Sequence, residues 1–410
     1  MSVFGYHLMV DPKRVVELDD LARKQIRSYP RRRYLYDELI GAPGRPFIAL
    51  VGPRGTGKTI LLRQLRGEDE TSLYISADTL DRDTDLFELA RVMRDTYGIM
   101  RLFVDEIHFL ANYQRDLKKI HDFLDVAVWL TSSVSLALTA AGWDLSRRVR
   151  RVQLWPFSFR EYLDFAQSTP LPSLALGDAL TTPLGPRYLR HQHLFGRYVE
   201  GGLYPFILQP GASLDLFSSI LDKVVASDIP NFDRSLSAQD LDDIRKTLRF
   251  IGSSPIDGIN YSSVSRNMGI TKYKAEKFLA YLERSFLVTR VFPAGTNVLK
   301  EPKVVMQLPY RLLYSSQEHA IGPMREDFFA LAMHQHGVPF HYAKTTRGGK
   351  TPDYVVDLDG HPAVIEVGGR GKGRSQFKDV EYERKVVLFD GEVGGMRPGA
   401  RLPLFCVGFA

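Results

Sequence analysis

An α/β fold, a parallel sheet with helices on both faces, is what this chain predicts, and three stretches carry the prediction. The apolar run Phe47 to Val51 leads into Gly52, Pro53, Arg54, Gly55, Thr56, Gly57, Lys58 and Thr59; the apolar Leu102 to Val104 closes on Asp105 and Glu106; and Ala127 to Leu130 ends in the hydroxyls of Thr131, Ser132 and Ser133. Short apolar runs bounded by polar and glycine-rich turns are the mark of buried strands.

The first stretch reads as a phosphate-binding loop. A strand delivers the chain to a glycine-rich turn, the glycines let backbone N–H groups crowd around a polyphosphate, and a helix beginning near Lys58 turns its positive end to the same anion. Residues 52–59 are therefore expected to bind ATP, with Lys58 neutralising the β- and γ-phosphates and the Thr59 hydroxyl holding Mg²⁺. Walker B chemistry follows at the second strand. Asp105 is placed to hold the Mg²⁺ through water, and Glu106 to accept a proton from the water that attacks the γ-phosphate. The third strand, in a parallel sheet of this kind, lies beside Walker B and brings Thr131 or Ser132 between Asp105 and the γ-phosphate as a sensor. Arg147, Arg148, Arg150 and Arg151 then crowd one short span. Arg147 or Arg148 is a candidate arginine finger, whose bidentate donors stabilise charge developing on a neighbouring subunit's γ-phosphate; a solvated basic turn is the alternative.

Composition sets the outer bounds. At 410 residues, 44% hydrophobic and 25% charged, the chain has the make-up of a globular protein of two to four domains. A single cysteine, Cys406, excludes an intrachain disulfide and a thiolate metal site, and suits a reducing, cytoplasmic setting. Residues 1–20 mix charge through their apolar positions unlike a signal peptide, and the least polar run, Val126 to Gly142, is broken by Thr and Ser, so no membrane association is expected. A net charge of +6 permits nucleic acid without diagnosing it. Arg31, Arg32 and Arg33 form a basic stretch ahead of the first strand, a candidate nucleic-acid contact or simply a solvated face.

Taken in order, the phosphate loop, Asp105-Glu106-Ile107-His108, the polar strand end, Arg147-Arg148 and Leu154-Trp155-Pro156-Phe157-Ser158-Phe159-Arg160-Glu161-Tyr162 resemble the prokaryotic AAA-type ATPases with a C-terminal nuclease-like domain of unknown function. The resemblance extends through Tyr198 to Pro205 and Asp228-Ile229-Pro230, similar to that family's lid. It implies an ATPase core over residues 1–165, a helical lid over 166–235 and a small α+β nuclease-like domain over 299–410, with 236–298 left for a winged helix read from the residues themselves. Homo-oligomers, rings among them, are the implied assembly.

The later segments support this order on their own. Pro170 to Pro186 reads as a loop. Leu241 to Ile251 and Tyr261 to Met268 read as helices, Gly269 as a break, and Thr271 as the cap of a helix from Lys272 to Arg284 with Ala275, Phe278, Leu279 and Leu282 on one face. A strand, Phe286 to Val291, completes a winged-helix order. Lys272, Lys274 and Lys277 stand where a recognition helix meets DNA, the alternative being a helix used only for packing. Further on, a helix carrying Glu326, then Asp353, a hairpin turning at Asp359-Gly360 and Glu366 on the return strand resemble the PD-(D/E)XK nuclease core. That resemblance implies Asp353, Glu366 and Glu326 as Mg²⁺ ligands and a lysine two positions past the strand glutamate. Gly368 stands there instead, and Lys372 is the nearest replacement; an active nuclease, a nucleic-acid-binding remnant and a structural domain stay open, with no cleavage expected. The pairs His191/His193 and His334/His336 lack supporting ligands and read as ordinary surface or core histidines. Three functions follow: an oligomeric ATPase acting on DNA, a nucleotide switch acting on a protein partner, and an ATP-gated Mg²⁺ nuclease. DNA stimulation of turnover separates the first two, and cleavage of DNA singles out the third.

Overall fold

The computed structural model describes residues 11–42, 45–134, 139–140, 143–182, 184–295, 301–343, 352–358, 360–369, 377, 382, 384–391 and 401–410. The chain forms two compact units, Met1–Leu154 and Trp155–Ala410.

In the first unit the order is α1 (Pro12–Ile26), α2 (Leu35–Leu39), β1 (Phe47–Val51), α3 (Lys58–Arg66), β2 (Ser72–Ser76), α4 (Leu86–Tyr97), β3 (Arg101–Asp105), α5 (Tyr113–Phe123), β4 (Ala127–Ser132), the short β5 (Thr139–Ala140) and β6 (Trp143–Asp144), and β7 (Val149–Gln153). Five strands pair in the order β2-β3-β4-β1-β7, every pairing parallel. All five residues of β1 are buried, as an apolar central strand covered on both faces must be. Because β4 lies between β1 and β3, the chain ends of those three strands meet along one edge of the sheet. Sequence patterning passes over α1 and β2. The helix is capped by Asp11, whose carboxylate accepts the Lys13 N–H at 3.0 Å, and begins with proline where no intrahelical donor is lost. Its Asp19 carboxylate pairs with Arg66 of α3 at 2.6 Å and accepts the Tyr74 N–H of β2 at 2.8 Å. With both partners of that ion pair 4% exposed, removing either would strand a charge in the interior, so the pair ties α1 to the sheet.

The second unit runs α6 (Phe159–Gln167), α7 (Leu176–Thr181), α8 (Pro186–Leu189), α9 (Phe195–Arg197), α10 (Asp215–Lys223), α11 (Ile229–Phe232), α12 (Ala238–Ser253), α13 (Tyr261–Met268), α14 (Lys272–Arg284), β8 (Val288–Val291), β9 (Lys303–Met306), α15 (Gln317–His336), β10 (Phe340–Tyr342), β11 (Tyr354–Leu358), β12 (His361–Gly369), β13 (Arg384–Asp390) and β14 (Arg401–Pro403). The stretch 170–186, expected as a loop, contains α7, which forms because Leu176, Ala179 and Leu180 share one buried face. Gly269 caps α13 at φ 65° and the Thr271 hydroxyl accepts the Lys274 N–H, the expected break and restart. β8 and β9 make an antiparallel pair. The last five strands form a sheet in chain order, β10-β11-β12 antiparallel and β12-β13-β14 parallel. Asp327 of α15 is fully buried; it accepts the Arg311 guanidinium and the Met306 N–H, while Arg311 also donates to the Ile251 carbonyl at 2.7 Å. This one ion pair fastens α12, β9 and α15 together. Among the described residues no helix is long and apolar enough to cross a membrane.

Candidate nucleotide site and the other candidate residues

The loop between β1 and α3 is built by its glycines. A Cβ on Gly52 would lie 2.1 Å from the Leu154 carbonyl oxygen, where the chain leaving β7 crosses the loop, so no larger residue fits. Gly55 and Gly57 take φ of 82° and 89°, left-handed conformations that a side chain disfavours. Between them Thr56 is fully buried, its hydroxyl donating to the Pro53 carbonyl at 2.9 Å. The Lys58 ammonium, 5% exposed, donates to the Gly52 and Pro53 carbonyls at 2.9 and 2.8 Å. Both acceptors belong to the loop, so the ammonium is held where a phosphate bound by the loop would lie. Arg33 is also here: expected on an open basic face, it is 8% exposed and donates to the Thr56 carbonyl at 2.6 Å. Arg31 and Arg32 are exposed, with the Arg32 guanidinium 4.2 Å above the Tyr36 ring.

At the end of β3, Asp105 accepts the Thr131 hydroxyl from β4 and the Tyr74 hydroxyl from β2 at 2.9 Å. Burial, then the Glu106 charge, push the Asp105 carboxyl up, while hydrogen bonds from Thr131, Thr59 and Tyr74 oppose them. Glu106 adopts φ 50° and ψ 46°, a left-handed backbone unusual for a glutamate and of the kind that concentrates at working sites. Its N–H donates to the Thr131 hydroxyl at 2.9 Å, and its carboxylate accepts the Ser133 N–H at 3.0 Å. Burial works to raise Glu106, but Lys58, His108 and Arg54 outweigh it and hold the carboxyl below its ordinary value. Arg54 stands 3.9 Å and His108 3.3 Å from that carboxylate. The two acids are thus shifted in opposite directions, with Glu106 held down, as suits a proton acceptor, by Lys58 and Arg54 of the phosphate loop and by His108. Ser132, fully buried, bonds His108 at 3.1 Å. Thr131 is the hydroxyl on the acids, and Ser132 the one on the histidine.

The two candidate fingers part company. Arg148 forms a two-pronged ion pair with Asp122 of α5, at 2.9 and 3.1 Å, and pulls that carboxyl down to about 2. It is therefore paired within its own subunit. Arg147 is exposed. Both precede β7, whose start pairs with the start of β1, whereas the phosphate loop follows the end of β1. Five residues of strand at ~3.3 Å each separate the two edges by about 16 Å, so Arg147 is remote from its own subunit's loop.

In the second unit the three lysines of α14 are already matched. Lys272 pairs with Glu301 at 2.5 Å, Lys274 with Asp240 and Asp243 at 2.8 and 3.2 Å, and Lys277 with Asp233 at 2.9 Å. A recognition surface needs uncompensated cations, and these have acids of their own chain in contact. The acidic set also differs from expectation. Among the described residues no group of three or more His, Cys, Asp or Glu side chains is placed to hold a metal ion. Glu326 accepts the Tyr354 hydroxyl at 2.8 Å, Asp353 accepts the Val367 N–H at 2.8 Å, and Glu366 is fully buried on β12. Burial, then the Asp353 charge, push Glu326 up to about 7. Lys303 of β9 stands 3.9 Å from Glu326 and 2.6 Å from Asp257. Gly368 lies on β12 as expected, and Lys372 falls outside the described residues. Sequence reasoning missed Tyr74, His108 and Lys303. Only His108, inside the Walker B segment, had a signal that adjacency could have supplied.

Residues 44–163 match the AAA domain family, and residues 192–307 match a domain of unknown function, DUF8612. A search of the curated proteins finds no match. Among solved structures, the chain is similar to PCH-2 of C. elegans at 17% identity over 66% of this chain and 70% of that one, with a TM-score of 0.24. It is also similar to AMPPCP-bound DnaA from Aquifex aeolicus at 15% identity over 61% and 86%, with a TM-score of 0.25. The phosphate loop, the split acid pair and the family match converge on one statement: this chain carries an AAA-type P-loop ATPase domain.

Proposed function

We propose that the protein binds and hydrolyses Mg²⁺-ATP at residues 52–59, 105, 106 and 131, and that it does so as a homo-oligomer. The observation that carries this is the geometry: Lys58 folded into the glycine loop, Arg54 3.9 Å from the Glu106 carboxylate, and the Thr131 hydroxyl joining the Asp105 carboxylate to the Glu106 N–H. The residues suit both groups: the Gly52 cradle leaves no room for a side chain, and Asp105 with the Thr59 hydroxyl offers oxygen donors. Mg²⁺ bound there would neutralise charge on the β- and γ-phosphates. Loop N–H groups and Lys58 bind the phosphates, Glu106 takes the proton of the attacking water, and Thr131 fixes both acids through its single hydroxyl. Arg147 serves as a finger only for an adjacent copy, since its own loop lies at the opposite edge of the sheet.

Phosphate release by purified protein tests the reading. Lys58→Ala is expected to lose nucleotide binding and turnover, and Glu106→Gln to keep binding while turnover falls about 10²–10⁴-fold. Normal turnover in Glu106→Gln would refute its role. For the output, a protein partner is favoured over DNA by one observation, the ion pairing of Lys272, Lys274 and Lys277. The elements α12 to β9 then act as a winged helix used for packing, and the final sheet as a nuclease-like domain without cleavage.

A further inference from the structure

Arg33 precedes the sheet, yet its guanidinium reaches the phosphate loop and donates to the Thr56 carbonyl at 2.6 Å from a site 8% exposed. The segment that carries it is itself fixed. Gln64 of α3 donates to the Tyr29 and Arg31 carbonyls at 2.8 and 2.9 Å, and the Tyr36 N–H closes on the Arg33 carbonyl at 2.9 Å as α2 begins. Tyr36 and Leu39 then enter the core.

Thr56 sits between two glycines in left-handed conformations. A peptide plane flanked by glycine turns at little cost, so backbone sterics alone do not decide which way its carbonyl faces. A trans peptide sets C=O and N–H in opposite directions. Whatever holds the Thr56 carbonyl therefore also aims the Gly57 N–H, one of the loop donors for phosphate.

We propose that Arg33 is a positioning residue for the phosphate loop: by holding the Thr56 carbonyl it turns the Gly57 N–H toward the bound phosphate. The inference rests on the reading of residues 52–59 as an ATP site. It also gives Arg33 a duty other than nucleic-acid contact. Its action is through the backbone, so it concerns binding of any nucleotide that places a phosphate in the loop and has little bearing on the chemical step. ADP and ATP should feel it alike.

The test is calorimetric binding of Mg²⁺-ATP and Mg²⁺-ADP to the full chain, with kcat and KM for ATP, in wild type, Arg33→Ala and Arg33→Gln. Arg33→Ala is expected to weaken both nucleotides about tenfold to a hundredfold, the range for a lost hydrogen bond from a charged donor. KM should rise in step while kcat stays within a few-fold, and Arg33→Gln, which keeps an N–H donor without the charge, should recover part of the affinity. Equal nucleotide affinity in wild type and Arg33→Ala overturns the proposal. So does a loss that Arg33→Gln leaves unrepaired at an unchanged unfolding midpoint, which would make the charge the active feature. Wild type that binds neither nucleotide refutes the ATP-site reading itself, a result distinct from both. If Arg33→Ala fails to fold, the Arg33→Gln comparison decides: affinity near wild type supports the proposal, and loss of binding in that folded variant overturns it.

Discussion

Asp105 with Glu106 in the N-terminal unit, and Glu326 with Asp353 in the C-terminal unit, are two pairs of shielded acids that differ in what faces them. The first pair looks onto cations of a phosphate loop. Lys58 there donates to the Gly52 and Pro53 carbonyls, which move with the loop that would hold a phosphate. The second pair looks onto Lys303, which is also bound to Asp257 and cannot leave without stranding acids on α15 and the loop before α13. Acids become a reaction centre where the surrounding charge is free to be lent to a substrate. Where charge is matched within the chain they are structure.

The strongest way to break this contrast lies at the rim of the first site. Arg147→Ala should cut turnover in the assembled protein by about 10³-fold or more, leaving nucleotide affinity unchanged. Arg148→Ala should mainly release Asp122, whose low pKa depends on it, and leave turnover largely intact. Mixing Arg147→Ala with Lys58→Ala subunits should restore part of the activity; no recovery removes the trans finger.

Next in size is the cation of the second site. Lys303→Met leaves Glu326 and Asp353 facing one another and should cost about 3 kcal/mol in chemical denaturation, with Lys303→Met/Glu326→Gln recovering much of it. The pH dependence follows from Glu326, raised from 4.5 to about 7. Between these values the folded state holds a proton that the unfolded chain has released, so stability is full below pH 4.5 and falls as pH rises toward 7. The loss is on the order of 3 kcal/mol and should vanish from the Glu326→Gln profile. A rise over that interval from this group would contradict the assignment.

The smallest effect is expected on α14. Because each lysine is paired, replacing Lys272, Lys274 and Lys277 together by Ala should leave DNA affinity and its salt slope unchanged by fluorescence anisotropy. A slope reduced by two or three would show that these lysines neutralise phosphates after all.

The sequence speaks most clearly where function is local in the chain. Residues 52–59 and 105–106 each bring their chemistry in consecutive positions after an apolar strand, and β4 with Thr131 announces itself by the same pattern. The strand β2 is silent in the sequence because Ser72, Leu73, Tyr74, Ile75 and Ser76 lack a closing motif, though Tyr74 reaches Asp105. Arg33 and Lys303 were illegible for another reason. Arg33 lies 23 residues from its acceptor, and Lys303 faces acids on α15 and in the loop before α13. A charged residue's partner is set by tertiary packing, so an arginine in a basic run reads as surface until its acceptor is known. The expected set of Glu326, Asp353 and Glu366 meets the same limit, since spacing along strands says which residues share a face and not whether three carboxylates converge.

The most direct test of the contrast is Mn²⁺ binding followed by electron paramagnetic resonance, with and without ATP, in wild type, Lys58→Ala and Glu326→Gln. Tight Mn²⁺ binding is expected only when ATP is present, lost in Lys58→Ala and intact in Glu326→Gln. Mn²⁺ held without nucleotide, surviving in Lys58→Ala and lost in Glu326→Gln, would contradict it by placing a metal centre in the C-terminal unit.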